Sequence, residues 1–531
     1  MNNTIEKIIT APHEDDTLDV RFVHSFTKTD PDVPVFNGMR SYTVYLAKAV
    51  KENAQIVISA KEDKKCLSVT CGPLKNKDGE EIDTEIFRQY YIKCNDKYYP
   101  DPIAPMNSKT GTFDLKAGKS QAIYIQVKTT ADTPAGDYSG IVSVCIDGKA
   151  VKMVRLFAHV WDIVMPKALS VSSVSLVFAE QLYRFHDKNK EKGIDYYKIY
   201  YDYLLDNRIN PYDLPYDIMD VRADAYMSDP RVKFFKIPIT DDDAGMIARY
   251  EKLKSNEEWF KKAYFYPYDE PGNVDMLNEM AKRCRRLKEL CPGIHIVVPF
   301  FQNVDYDKDR DQLAFMSEYM DVWCPKSFCF TKTEDKAEGK QMLYSEEQLK
   351  RFPEFGKRMK AEKAEGDLIW WYVCWEPGMP YLNMYVDMQG YMNRLLFWQQ
   401  KQYDVTCFLY WACNFWNRVD DPWKNMATVG TDPAGRLWLS DDVFGDGSYI
   451  YPGSAVDVDG PCGSVRLECI RGGLEDYEML CMLEKAAGKE KTNEIISLLS
   501  ESIVDFTMNE EDLIKARIEL GNALEEMLRK K

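Results

Sequence analysis

Two adjacent carboxylates offer the first chemistry in this chain. The segment Ala263-Tyr-Phe-Tyr-Pro-Tyr-Asp269-Glu270-Pro271-Gly272 reads as an aromatic strand that stops at a Pro-Gly turn. Within a regular strand, neighbouring side chains point to opposite faces. Where Pro271 and Gly272 bend the chain, both acids can turn the same way. Two close carboxylates in partly apolar surroundings repel, so at least one pKa rises and one acid stays protonated near neutral pH. That arrangement suits acid–base work. The plainer alternative is that Asp269 and Glu270 cap the next helix or sit in solvent. Two other segments are crowded with rings: Trp370-Trp-Tyr-Val-Cys-Trp-Glu-Pro377 and Tyr410-Trp-Ala-Cys-Asn-Phe-Trp-Asn417. Tyr and Trp offer flat apolar faces to sugar C–H groups and a polar edge to hydroxyls. Half of these rings must pack inside a barrel or against helices, so Trp375, Trp411 and Trp416 are candidates as a group. Asn414 can bind a hydroxyl or an amide; Asn303 and Asp305 are weaker candidates.

The elements that must position these residues follow from the pattern around them. Residues 1 to about 165 carry short β-branched and aromatic runs separated by turn clusters such as Asn76-Lys-Asp-Gly79, which predicts a β-sandwich. Pro166 marks a boundary. From about 168, strand candidates at 171–178, 209–214, 232–239, 263–268, 294–300, 321–328, 368–375 and 405–413 alternate with helical patterns at 195–207, 274–290, 310–320, 345–365 and 387–402. The stretch 216–228 carries no clear helix. Eight strands alternating with helices predict an α/β fold, a (β/α)₈ TIM-type barrel, whose active site lies at the C-terminal strand ends. No GxGxxG follows the first strand, which weakens a doubly wound sheet. The expected division is 1–166 β-sandwich, 167–425 catalytic barrel, and 426–531 a loop-rich segment followed by helices packed on the barrel. Ser464 is read as the N-cap of a helix in which Arg471 and Glu475 pair if it continues through Gly472-Gly473, a structural brace.

Composition narrows the function classes. The 531 residues carry a formal charge of −16 and are 45% hydrophobic, enough for a large core, and the acidic balance argues against nucleic acid. No run reaches the length of a membrane span, and the N-terminus lacks the pattern of a secretion signal. A soluble, cytoplasmic protein is expected, or a secreted one whose signal has been removed. Fourteen cysteines without a CxxC pair are expected as reduced thiols. The five histidines form no HxH or HExxH pattern, so no metal and no cofactor is expected. His295 sits at the wrong strand end for catalysis, and His186, which follows the first strand and could reach the mouth, is read in preference as a surface residue. No GxSxG elbow or P-loop occurs.

Several ordered motifs resemble glycoside hydrolase family 123: Tyr268-Asp269-Glu270-Pro271, the Trp371-Tyr372 strand, Asn393-Arg394-x-x-x-Trp398, Leu409-Tyr-Trp-x-x-Asn414-x-Trp416, Gly445-Asp-Gly447 with Tyr451-Pro-Gly453, and Arg466-Leu-Glu468-x-x-Arg471-x-Gly473-x-Glu475-Asp476-Tyr477. The resemblance covers about 170–480. It implies a retaining β-N-acetylgalactosaminidase in which the substrate's 2-acetamido group is the nucleophile, Glu270 the acid and then the base, and Asp269 the group that orients the acetamido N–H. Tyr268 and Tyr372 then join Trp375, Trp411, Asn414 and Trp416 as substrate-binding residues. The implied partner is a glycan or glycolipid with terminal β-linked N-acetylgalactosamine, and the resemblance allows a homodimer. One departure is that the family's Arg-Asp-Gly reads Arg471-Gly472-Gly473 here. An N-acetylglucosaminidase or broad hexosaminidase, and a catalytically silent carbohydrate-binding protein on the same scaffold, are the rival expectations.

Overall fold

The computed structural model describes residues 9–107, 109–186, 194–416, 419–431 and 437–530, of which 427–431 and 437–442 are described by their backbone alone. The first large unit is a β region whose strands run from Leu18–Val23 to Lys149–Val164. Its strands are joined into one folded-over sheet through pairing of Leu74 with Ile82. Alternate residues of the two halves meet in a common core: Ile56, Ile58, Ile123 and Ile125 from one, Val142, Val144, Leu156 and Val160 from the other. Period-two alternation in the sequence is the cause, since it puts one apolar face on each strand.

Eight parallel strands follow: β1 (Ser172–Ser175), β2 (Asn210–Pro211), β3 (Phe235–Lys236), β4 (Ala263–Phe265), β5 (His295–Phe300), β6 (Val322–Pro325), β7 (Leu368–Val373) and β8 (Cys407–Tyr410). They pair in the order β2-β1-β8-β7-β6-β5-β4-β3, a nearly closed barrel. The gap between β2 and β3 is bridged by Lys236 N donating to Tyr212 O at 2.8 Å. The Asn210 side-chain oxygen adds to the bridge by accepting from Lys233 N at 2.8 Å and Phe234 N at 3.1 Å. β2 and β3 are much shorter than the sequence predicts, because Pro211 and Pro238 bring no N–H to a ladder. Alternation sorts the rings of β7: Trp370 and Tyr372 face the barrel interior with Val174, Tyr264 and Leu409. Trp371 and Val373 face the helices instead.

Helices fill the outside, and sequence signals set their ends. α1 (Val274–Leu290) is capped by Asn273, whose side chain accepts from Met276 N. The helix expected over 345–365 is two, Glu346–Arg351 and Phe355–Glu365, because Pro353 interrupts it. The one expected over 310–320 shrinks to Gln312–Met316, and 216–228 holds only Ala223–Met227. α2 (Gly390–Gln402) lies against α3 (Val465–Ala487), and α4 (Glu510–Arg529) closes the chain. α3 starts at Ser464, whose side chain accepts from Leu467 N, and runs unbroken through Gly472-Gly473 with Arg471 and Glu475 paired at 2.9 Å. No helix among the described residues is long and apolar enough to cross a membrane.

Candidate active site

After β4 the chain makes one sharp move. Tyr264 points into the barrel and Phe265 outward, then Pro267 ends the ladder. Glu270 takes a left-handed conformation, φ +45°, with its N–H donating to Pro299 O at 3.1 Å. Such a backbone costs of order 1–3 kcal/mol in a non-glycine residue and persists only where its surroundings impose it. The turn brings both acids to the mouth. Asp269 accepts from the Tyr266 hydroxyl at 2.8 Å. Glu270 reaches the other way and accepts from the Tyr372 hydroxyl of β7. Capping of α1 falls to Asn273, so neither acid has that duty.

Neighbouring groups displace part of the water around both acids, although Asp269 remains open and a third of the Glu270 side chain is exposed. Burial raises both pKa values. For Asp269 the Tyr266 hydroxyl and the Lys326 ammonium oppose the rise. For Glu270 the Tyr372 hydroxyl and Lys326 oppose it, while the charges of Asp269 and Glu376 add to it. Lys326 follows β6 directly, with 2% of its side chain exposed. Its ammonium lies 4.0 Å from Glu270 Oε1 and 3.6 Å from Glu376 Oε2, over the ring of Phe301. A buried cation beside an acid favours the charged form of that acid.

Trp411 continues the inward alternation Cys407, Leu409 at the end of β8. Its indole N–H donates to Asp446 Oδ1 at 2.9 Å, and the Tyr410 hydroxyl donates to the same oxygen at 3.1 Å. Burial pushes the Asp446 carboxyl up to about 6 against these donors. Gly447, φ +70°, lies so close beneath the indole that a Cβ there would fall 2.3 Å from Trp411 Cζ2.

The other sequence candidates are distributed differently. Trp375 stands at the rim, 45% exposed. Trp416 is fully buried; its N–H donates to Ile450 O at 3.1 Å and its ring meets Phe185 and Tyr200, so it offers no face to a ligand. Asn414 is also fully buried and spends its amide on the backbone of Phe178, accepting from N at 2.8 Å and donating to O at 3.0 Å, which ties β8 to the segment after β1. Tyr268 turns outward beneath Arg283 of α1, 5.1 Å from ring to guanidinium carbon, because Pro267 breaks the alternation. Asn303 is buried and donates to Asp311, while Asp305 pairs with Arg351. His186, expected at the surface, is buried beside Tyr200 and stacked on Tyr196, and burial lowers its pKa. Asn417 lies outside the described residues. Sequence reasoning gave no role to Tyr266, Lys326, Glu376 or Asp446. Three of them had signals: Tyr266 is three residues from Asp269, Glu376 follows Trp375, and Asp446 sits between two glycines. Lys326 was hidden inside the predicted strand 321–328.

Among the described residues no group of His, Cys, Asp and Glu is placed to hold a metal ion. The arrangement offers two carboxylates with raised pKa values, each held by a tyrosine, in a ring-lined mouth. The profile of the glycoside hydrolase 123 catalytic domain matches residues 195–483, more than half of the chain. A solved family 123 glycoside hydrolase from Clostridium perfringens, described in connection with glycolipid glycan hydrolysis, is 13% identical. It superposes with a TM-score of 0.66 over 97% of this chain and 99% of that one. A family 39 glycoside hydrolase from Bacteroides cellulosilyticus WH2 is 8% identical, with a TM-score of 0.30 over 84% of this chain and 82% of that one. No curated protein matches the sequence.

Proposed function

The chain belongs to glycoside hydrolase family 123, and from that premise we propose that it removes terminal β-linked N-acetylgalactosamine from glycans or glycolipids, with retention and with the substrate's acetamido group as nucleophile. The observation that carries this reading is the divergence of two neighbouring acids, Asp269 held by Tyr266 and Glu270 held by Tyr372. An ordinary retaining enzyme sets its carboxyl groups about 5–5.5 Å apart on either side of the bond, one as acid and one as nucleophile; substrate-assisted enzymes are exempt. Consecutive acids on one strand end suit the exemption.

In this reading Glu270, its pKa raised, protonates the glycosidic oxygen as the C–O bond breaks. The acetamido carbonyl oxygen attacks the anomeric carbon and closes an oxazoline-type ring. Asp269 accepts a hydrogen bond from the acetamido N–H and stabilises the positive charge that develops there. Glu270, now a carboxylate, takes a proton from the water that opens the ring, and two inversions leave the configuration retained. Trp411, locked by Asp446, offers its face to the sugar. The scaffold is read as a (β/α)₈ TIM-type barrel over 167–425, behind a β-sandwich over 1–166 and ahead of a helical extension over 426–531.

The test is a panel of aryl β-glycosides of N-acetylgalactosamine, N-acetylglucosamine and galactose. Hydrolysis of the first, with the galactoside inert, is the expected result. Equal turnover of the unacetylated galactoside would remove the assisted mechanism, a preference for the glucosamine would change the sugar, and binding without hydrolysis would make the protein a carbohydrate binder.

A further inference from the structure

We propose that the loop 375–379, with Lys326 beneath it, forms the subsite for the sugar unit on the leaving side of the scissile bond, an inference that rests on Glu270 being the acid. The acid marks where the leaving group departs. Asp269 is tied back to Tyr266 on the β4 side of the mouth, whereas Glu270 leans across to Tyr372 on β7 and toward Lys326 behind β6. Whatever lies beyond Glu270 on the β6–β7 side therefore faces the departing sugar.

Three features of that side fit a pyranose. The first is a pair of opposite charges held short of hydrogen-bond contact. The Lys326 ammonium is 3.6 Å from Glu376 and 4.0 Å from Glu270, both too long for a hydrogen bond. A third of the Glu376 side chain is exposed, and a carboxylate carries only acceptors, so at that edge it can accept from a sugar hydroxyl while Lys326 lies buried behind it. The second is a ring at the rim: Trp375 is 45% exposed, and Met379 of the same loop is 54% exposed. A pyranose presents apolar C–H faces to such a ring and hydroxyls to the charged edge; a hydrocarbon chain would leave the charges without a use. The third is rigidity. The fully buried Asn383 amide donates to Cys374 O at 2.9 Å and Pro377 O at 2.8 Å. The Tyr385 hydroxyl donates to Trp375 O at 2.9 Å, and Cys374 N donates to Glu376 O at 2.9 Å. A loop strapped this way holds its backbone in one conformation and loses little of that freedom on binding.

The experiment compares two substrates that demand the same acid help and differ only on the leaving side: the methyl β-glycoside of the N-acetylhexosamine and a disaccharide in which a second hexose replaces the methyl group. Trp375→Ala and Glu376→Gln are measured on both, with thermal melting as the check that each variant folds. The expected result is that kcat/KM for the disaccharide falls about tenfold or more beyond any fall for the methyl glycoside. Equal losses on the two substrates overturn the subsite while leaving the function standing. A wild-type protein inert toward both overturns the function, and the subsite with it.

Discussion

At the scale of single residues, the proposed mechanism asks Glu270 to give a proton and then take one, and its neighbours pull in opposite directions. Burial, Asp269 and Glu376 favour the protonated form; the Tyr372 hydroxyl and Lys326 favour the carboxylate. Glu270→Gln is expected to lower kcat on a disaccharide by about 10²–10⁴-fold, with a smaller loss on an aryl glycoside whose leaving group needs no proton. Comparable losses on both would take the acid role from Glu270. Lys326→Met removes the cation from beside this group. The alkaline limb of kcat/KM follows ionisation of the acid, so a raised Glu270 pKa moves that limb to higher pH. The pH profile checks this directly, and Lys326→Arg should restore the original limb; an unmoved limb in a folded Lys326→Met variant would contradict it.

At the scale of elements, turns and close helix contacts decide where the rings stand. Residues 445–447 form a turn in which Gly445 and Gly447 both have positive φ. The turn sets Asp446 against Trp411 and leaves Gly445 O accepting from Arg466 at 2.7 Å. Gly447→Ala combines an unfavourable φ with a Cβ driven into the indole, so Trp411 must move. A severalfold rise in KM, larger in proportion than the drop in melting temperature, is the expected outcome; unchanged KM would mean the ring face is not used. Gly473 serves packing instead. A Cβ there would lie 2.4 Å from Phe397 Cδ2, so the second glycine of α3 leaves room for a ring of α2. Gly472 lies under the Arg394 guanidinium, 2.6 Å from its carbon to a Cβ. The departure Arg471-Gly472-Gly473 therefore leaves space that Arg394 occupies.

At the scale of the whole molecule, the β region, the barrel and the C-terminal helices are joined by buried charge. Arg394 of α2 binds Asp476 of α3 at 2.7 Å and Glu52 of the β region at 3.0 Å. Arg517 of α4 binds the same two acids, each at 2.9 Å. A second junction pairs the fully buried Arg466 with Asp101 at 2.8 Å, and Trp161 of the β region meets α4 at Gly521 and Asn522. Burial alone would raise the Glu52 pKa, but Arg394 and Arg517 overcome it and hold the carboxyl at about 2. A folded pKa below the unfolded one gives stability that is complete above the ordinary Glu value and lost as pH falls through it toward 2. Unfolding midpoints in urea should therefore drop steeply below about pH 4.5. Glu52→Gln leaves two guanidiniums short of a counter-charge and is expected to cost about 3–5 kcal/mol at neutral pH, with a shallower acid dependence. A neutral midpoint equal to wild type would show that the junction contributes nothing.

Much of this was legible from the chain. Period-two alternation announced the β region, and the strand-helix rhythm announced the eight parallel strands. The Asp269-Glu270 pair at a Pro-Gly turn marked the mouth, and Ser464 marked the start of α3. These are local signals, carried by spacing and residue type within a few positions. What tertiary structure alone decided was direction. Trp411 and Trp416 lie five residues apart in one aromatic run, yet the first faces the mouth and the second the core, because the chain after β8 turns away at the buried Asn414 amide. Lys326 falls inside the predicted strand 321–328 and becomes a cation of the site only because β6 and β7 lie side by side across from the β4 turn. Which side chains converge depends on barrel closure and packing between segments far apart in sequence, and no local pattern encodes that distance.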